Sequence, residues 1–353
     1  LNFIRTMKSY VFPGDIEEDI LRISGQPFPY MRTRLFSELV KDSEQMLLSL
    51  IGCPNGRVIP YTASGTAAME AVVANFVSTM QKAFVIAGGS FGMRWKNLCD
   101  YYQCPADVFH VDFAKDIDYN ALEEAIKVSQ PEVLLCQHHE TSTGMLYNLS
   151  NISAICKKYE VFLIVDVISS FLTDPLNMDE LGIDVCITSS QKGLNIVPGL
   201  SFVILSERML HQEFVHKGFY LDFNENLTNL KRGQTPYSPA TSLFMQLHAR
   251  LNMYVQIGVE QLIESRKQKA QYFRSLCAQN GWEMPVEVPS NCITGFFVHH
   301  NGDHLFEELL KQDIYIMPGG TPHYFRVSHI GLQSVEELND LARRIKVIEQ
   351  MNF

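Results

Sequence analysis

The sequence predicts an α/β protein: a large domain with a mainly parallel central sheet flanked by helices, plus a smaller α+β C-terminal domain. Three observations carry this. Between positions 58 and 188, short runs that are apolar throughout alternate with helical stretches, as in strands covered on both faces. Past Phe202–Ser206 the alternation becomes irregular. With 46% hydrophobic and 19% charged residues, the 353-residue chain has an ordinary globular composition and room for two domains.

Residues 1–14 read as an extended N-terminal arm and residues 15–257 as the large domain. Asp15–Leu21 is an acidic helix start. Ser37–Ile51 carries apolar residues at helical spacing, and Gly52 with the Cys53–Gly56 turn stops it. Strands follow at Val58–Thr62, Ala83–Ala87, Val108–Val111, Val133–Gln137, Val161–Val165 and Val185–Thr188. Between them lie predicted helices at Ala67–Met80, Met93–Tyr102, Tyr119–Val128 and Leu149–Tyr159. A long helical stretch runs from Ala240 to Ala278, with the domain boundary expected near Gln256-Ile257-Gly258. Residues 258–353 then form the small domain, with strands at Gly295–His299, Ile314–Met317 and Tyr324–Val327 and helices at His304–Gln312 and Val335–Gln350.

Composition also excludes. A net charge of −10 argues against a nucleic-acid surface, because counterion release needs clustered Lys and Arg. No apolar run approaches the ~18 residues of a membrane span, and Leu1–Gly14 lacks a secretory apolar core. The eight cysteines are scattered without a CxxC pair, as reduced buried thiols are, so a cytoplasmic location is expected. Adjacent His138 and His139 point opposite ways on extended chain, and His299, His300 and His304 surround a turn, so no metal site is expected. There is no GxSxG elbow, no GxGxxG fingerprint and no lysine-bearing nucleotide loop.

The chemistry-bearing residues stand at strand ends, where sheets of this kind bind ligands. Thr62-Ala63-Ser64-Gly65-Thr66 joins a strand to an alanine-rich helix, which suits either an anion cradle or a plain N-cap. His138–Gly144 is a hydroxyl-rich turn. Asp166 directly follows five apolar residues, so its carboxylate is either a cap or the partner of a cation. Val185–Ser189 opens into Ser190-Gln191-Lys192-Gly193. That lysine is either solvated or, at the rim of a sheet, desolvated toward a neutral amine able to form a Schiff base. A cradle, hydroxyls, an aspartate and a lysine converge on pyridoxal 5'-phosphate: phosphate on the helix N-terminus, ring nitrogen on Asp166, aldehyde carbon on Lys192.

In this order the same residues resemble class V aminotransferases of pyridoxal-phosphate fold type I. The nearest likeness is to alanine–glyoxylate, serine–pyruvate and 2-aminoethylphosphonate–pyruvate transaminases, over about Asn2 to Gly331. The resemblance implies that Ser64, Gly65, Thr66 and Gln191 hold the phosphate, and that Phe91, in Gly89–Arg94, stacks on the pyridine. It places Thr141 beside the ring oxygen, Ile168 beneath the ring, Asp166 on the pyridinium and Lys192 in the Schiff base. Gln234–Pro239 is similar to a segment that reaches the neighbouring subunit's phosphate, which implies a homodimer with Tyr237 and Ser238 at a shared site. Arg326, in Phe325–Gly331, corresponds to the arginine that holds the substrate carboxylate. One departure falls in the arm: relatives carry Gly-Pro near the substrate, whereas here Asn2-Phe3-Ile4 runs into Arg5–Lys8.

The implied activity is transfer of an amino group from a small amino acid or aminophosphonate to a 2-keto acid such as pyruvate or glyoxylate. Two alternatives share the cofactor. A lyase or desulfurase differs in the fate of the carbanion; for a desulfurase, Cys292 is the loose candidate for the mobile nucleophile. A non-catalytic regulator would carry a fused DNA-binding domain or lack the lysine.

Overall fold

The structure, a computed structural model, describes residues 7–215 and 217–351. Among these residues, seven strands form the central sheet: β1 (Arg57–Tyr61), β2 (Ala83–Ala87), β3 (Ala106–His110), β4 (Val133–Gln137), β5 (Phe162–Asp166), β6 (Val185–Ser189) and β7 (Ser201–Leu205). Their order is β1-β7-β6-β5-β4-β2-β3. Only β7 runs against its neighbours, β1 and β6. Strands β2, β4, β6 and β7 are buried along their whole length, as their unbroken apolar runs require, whereas the edge strand β3 is partly exposed. The sheet is mainly parallel, as predicted.

Helices α1 (Arg34–Ile51), α2 (Gly65–Asn75), α3 (Ser90–Tyr101), α4 (Tyr119–Ser129) and α5 (Leu149–Lys158) flank the sheet. Two depart from their predicted bounds for tertiary reasons. α3 begins at Ser90 rather than Met93, because the distant carboxylate of Glu140 accepts the first-turn N–H groups of Phe91 (3.3 Å) and Gly92 (3.0 Å). α2 ends at Asn75 instead of running to Met80. The buried Asn75 amide donates to Leu221 O at 2.9 Å and accepts from Phe223 N, which commits it to a neighbouring loop.

The long helical stretch is two helices, α6 (Thr241–Ile257) and α7 (Val259–Asn280), parted by Gly258 at φ +88°. Beyond them, β8 (Ile293–Phe297), β9 (Met317–Pro318) and β10 (Tyr324–Ser328) form an antiparallel sheet with β10 in the middle. Helices α8 (Gly302–Leu310) and α9 (Val335–Glu349) accompany it, and a Ser334/Glu337 capping box starts α9. Phe273, Trp282, Phe296, Leu309 and Ile345 make a separate core here, and Tyr10 from the arm joins it. The arm also pairs Lys8–Ser9 alongside Ile314–Tyr315.

Candidate active site

Parallel register brings the ends of β4, β5 and β6 level: Gln137 lies opposite Asp166, and Asp166 opposite Ile187. The loops that leave these ends therefore share one rim of the sheet. Lys192 stands in the loop between β6 and the reversed strand β7. Ser190 ties that loop, donating from its hydroxyl to Val197 O (2.9 Å) and accepting from Leu200 N (3.2 Å). Asn195 extends the tie to the arm by donating to Asp15 O.

The Lys192 side chain is buried, at 8% exposure for the residue. Its Nζ donates to Thr141 Oγ1 at 3.2 Å and lies 5.0 Å from the Phe91 ring centroid and 4.9 Å from that of Phe12. Burial pulls its pKa below that of an ordinary lysine, while Cys292, Asp166 and Glu140 pull the other way and Arg326 reinforces the fall. This is an amine poised to lose its proton rather than a solvated loop lysine. Thr141 Oγ1 also pairs with Ser169 Oγ at 2.6 Å.

Asp166 closes β5 at 5% exposure. Burial pushes its carboxyl up to about 6, although the Ile168 N–H bond (2.8 Å) and the Lys192 charge draw it down. It makes no ion pair among the described residues, so a buried carboxylate waits for a cation. A protonated heteroaromatic nitrogen fits that need.

Ser64 is the N-cap of α2, but its side chain makes no capping hydrogen bond. Ala67 N donates to Ser64 O at 2.9 Å, and the first turn otherwise lacks the side-chain acceptor that a plain cap would supply. Gly65 lies close to Ile168: a Cβ there would fall 2.5 Å from its Cδ1, so the isoleucine side chain would have to shift. Thr66 Oγ1 accepts from Arg94 Nη1 at 3.1 Å, and the Arg94 guanidinium lies 4.8 Å from the Phe91 centroid. Arg94 brings a half-buried cation without an ion-pair partner, among the described residues, to the edge of this cradle. Gln191 stands half-exposed beside Lys192.

Arg326 is on β10. Its Nη1 donates to Thr141 O and its Nη2 to Pro318 O, both at 2.6 Å, and its buried Nε has no partner. Among the described residues no carboxylate pairs with it. His139 is buried with both ring nitrogens unpartnered, and burial first, then the Lys192 and Arg326 charges, hold it neutral.

Two predicted residues are not brought to this cluster within one chain. Tyr237 stacks on Tyr220 (5.4 Å) and donates to Phe219 O, while Ser238 is exposed. Of the departure read at Asn2–Lys8, residues 2–6 lie outside the described residues. The arm meets the site later, through Phe12 and through Gly14, whose α-carbon packs so tightly on Ile330 that a Cβ would clash with its carbonyl. Cys292 is corrected: it is fully buried, its N–H is held by Ser290 Oγ, and burial raises its thiol pKa, so it is no mobile nucleophile. Sequence reasoning missed roles for Glu140, Arg94 and Phe12. Their carboxylate, guanidinium and ring meet partners far along the chain, and local spacing carries no sign of that.

An uncapped helix start, a crowded glycine, an unpaired buried carboxylate and a desolvated amine at one rim fit pyridoxal phosphate. The fold and the site define a pyridoxal-phosphate-dependent transaminase. A profile of the aminotransferase class-V family matches residues 30–333, and the chain belongs to that family. It is 28% identical over 346 residues to an uncharacterised aminotransferase of Methanocaldococcus jannaschii, covering 94% of this chain and 90% of that one. It is 25% identical to a serine–glyoxylate aminotransferase of Arabidopsis thaliana, over 92% of this chain and 85% of the other. Among solved structures, an alanine–glyoxylate aminotransferase from Nostoc sp. superposes with a TM-score of 0.92 at 21% identity, covering 99% and 97% of the two chains.

Proposed function

We propose that this chain transfers the amino group of a small amino acid or aminophosphonate to a 2-keto acid such as pyruvate or glyoxylate, with Lys192 as the amine that carries the cofactor. The observation that supports it most is the buried Lys192 amine beside the unpaired, buried Asp166. When bound, pyridoxal phosphate supplies an aldehyde that captures amines and a ring that accepts the electron pair of a broken C–H bond.

The chain's own residues do the rest. Ser64, Gly65, Thr66 and Gln191 hold the phosphate, and Arg94 adds a cation at its edge. Asp166 would pair with the protonated ring nitrogen, Phe91 and Ile168 would hold the ring through apolar contact, and Thr141 would offer its hydroxyl to the ring oxygen. Arg326 binds the donor carboxylate, so that the Cα–H bond is presented to Lys192 Nζ. That nitrogen would take the Cα proton as general base. Its low proton affinity, set by burial, suits the task. Tyr237 and Ser238 act across the interface of a homodimer, and within one chain Tyr237 packs on Phe219 and Tyr220. Eight buried, unpaired cysteines favour a reducing, cytoplasmic setting, and no helix of the described residues is long and apolar enough to cross a membrane.

A half-reaction screen tests this reading. Protein loaded with pyridoxal phosphate is mixed with single amino acids or aminophosphonates, and the visible band is followed. A small donor should bleach it and yield pyridoxamine phosphate. Lys192→Ala should leave no borohydride-trapped cofactor, and full trapping in that variant would refute the lysine assignment.

A further inference from the structure

The mechanism leaves unused a buried cation that has no carboxylate partner among the described residues. Arg266, on α7, is 6% exposed and meets no carboxylate among the described residues. Its guanidinium serves neutral acceptors instead: Nη1 donates to Leu172 O, and Nη2 donates to Gly193 O at 2.8 Å and to the Tyr254 hydroxyl at 3.1 Å. Burying a charge among neutral groups costs stability, and an apolar side chain of similar size would often do as well for packing alone.

The identity of the two carbonyls gives the arrangement its meaning. Leu172 lies on the turn that follows Asp166, and Gly193 follows Lys192 directly. The two loops touch: a Cβ on Gly193 would fall 1.9 Å from Phe171 O and 3.7 Å from Leu172 Cβ. Leu172 itself is held at φ +62°, a left-handed conformation that a branched side chain adopts only under constraint. One guanidinium therefore bridges the loop bearing the carboxylate and the loop bearing the amine. It does so from a helix whose far end, at Phe273, Leu276 and Cys277, belongs to the second core.

We propose that Arg266 is a positioning residue that clamps the Lys192 loop to the Asp166 loop and so fixes the amine relative to the ring-binding carboxylate. This rests on the reading of Lys192 as the cofactor-bearing amine. A catalytic group must be held within a fraction of an ångström, and two charge-assisted bonds in one planar fork suit that task.

The test uses the full chain, with and without pyridoxal phosphate, as the parent, Arg266→Lys, Arg266→Gln and Arg266→Gln/Leu172→Gly proteins. Borohydride reduction and peptide mass spectrometry of the parent come first: absence of a label at Lys192 overturns the underlying lysine reading and, with it, the clamp. With the label in place, Arg266→Gln should move the pH midpoint of the visible band by about half a unit or more. It should cut the half-reaction rate constant about tenfold or more while the donor KM changes less than about threefold. Arg266→Lys, whose single ammonium cannot serve both carbonyls in fork geometry, should shift both readouts in the same direction by less, and it carries the test if the glutamine variant does not fold. Glycine at 172 adopts the left-handed turn freely, so the double variant should recover part of the rate and return the midpoint toward the parent's. A parent-like midpoint and rate constant in a folded variant, or a loss confined to melting temperature or to KM, overturns the proposal.

Discussion

Thr141 O accepts a 2.6 Å hydrogen bond from Arg326 Nη1, so the arginine on the small sheet is anchored to the turn whose hydroxyl also receives the Lys192 amine. The guanidinium arrives already oriented, with its buried Nε still free. Arg326→Ala is expected to lower kcat/KM for the amino donor by roughly 1.5–3 kcal/mol, the worth of one charge-assisted pair. Steady-state kinetics with a donor from the half-reaction screen measures this. An unchanged kcat/KM would remove Arg326 from the substrate site.

Asp166 makes the cofactor-free protein sensitive to pH. Its carboxyl, at about 6 in the folded chain against 3.8 as a free group, holds its proton more tightly when folded. Its contribution to stability is therefore full below about pH 4 and is lost as pH rises through about 6. Asp166→Asn removes this titration and retains an acceptor for the Ile168 N–H. The cofactor-free variant should be more stable than the parent at pH 8, by roughly 3 kcal/mol, and little different at pH 4. Turnover should fall strongly. Urea unfolding at the two pH values checks the first claim, and equal stability at pH 8 would contradict it.

Glu140 is fully buried and its carboxylate accepts the N–H groups of Phe91, Gly92 and Ser142. It is the acidic cap of α3, favoured by the helix dipole. Glu140→Gln should destabilise the chain by about 1–2 kcal/mol. Because Phe91 sits on the capped turn, pyridoxal phosphate should also dissociate more readily. Thermal melts and equilibrium dialysis read the two effects; a melt and an affinity both matching the parent would deny the cap its role.

Phe12 covers the Lys192 amine from the arm, packed with Met317 against Cys292, Ile293 and Ile330. Phe12→Ala should admit water, and since burial is the main cause of the lysine's lowered pKa, that pKa should rise. The pH profile of amine labelling in the cofactor-free protein follows it. Larger donors should also gain relative to small ones in kcat/KM. A profile that stays in place would show that the ring does not shield the amine.

Much of the fold was legible because β2, β4 and β6 are buried along their whole length and mostly apolar, as strands covered on both faces are. Asp166 and Lys192 stood out for the same reason, as polar residues terminating apolar runs. What local sequence could not show were ends decided by distant partners. α3 starts early for Glu140, 48 residues from Gly92, and α2 stops for Asn75, bound 148 residues away at Phe223. Arg266 and Phe12 were invisible likewise: one lies unmarked in a long helical stretch, the other in an extended arm, until packing brings each beside the lysine loop.

The arm has a practical bearing on handling the protein. Within five residues it lends a strand edge at Lys8–Ser9, a core side chain at Tyr10 and an aromatic lid at Phe12. Trimming from the amino end, or fusing a bulky purification handle close to it, would strip a fastener from one compartment while unroofing another. A preparation that has suffered proteolytic nicking before Pro13 should bind cofactor poorly even though its central sheet is intact.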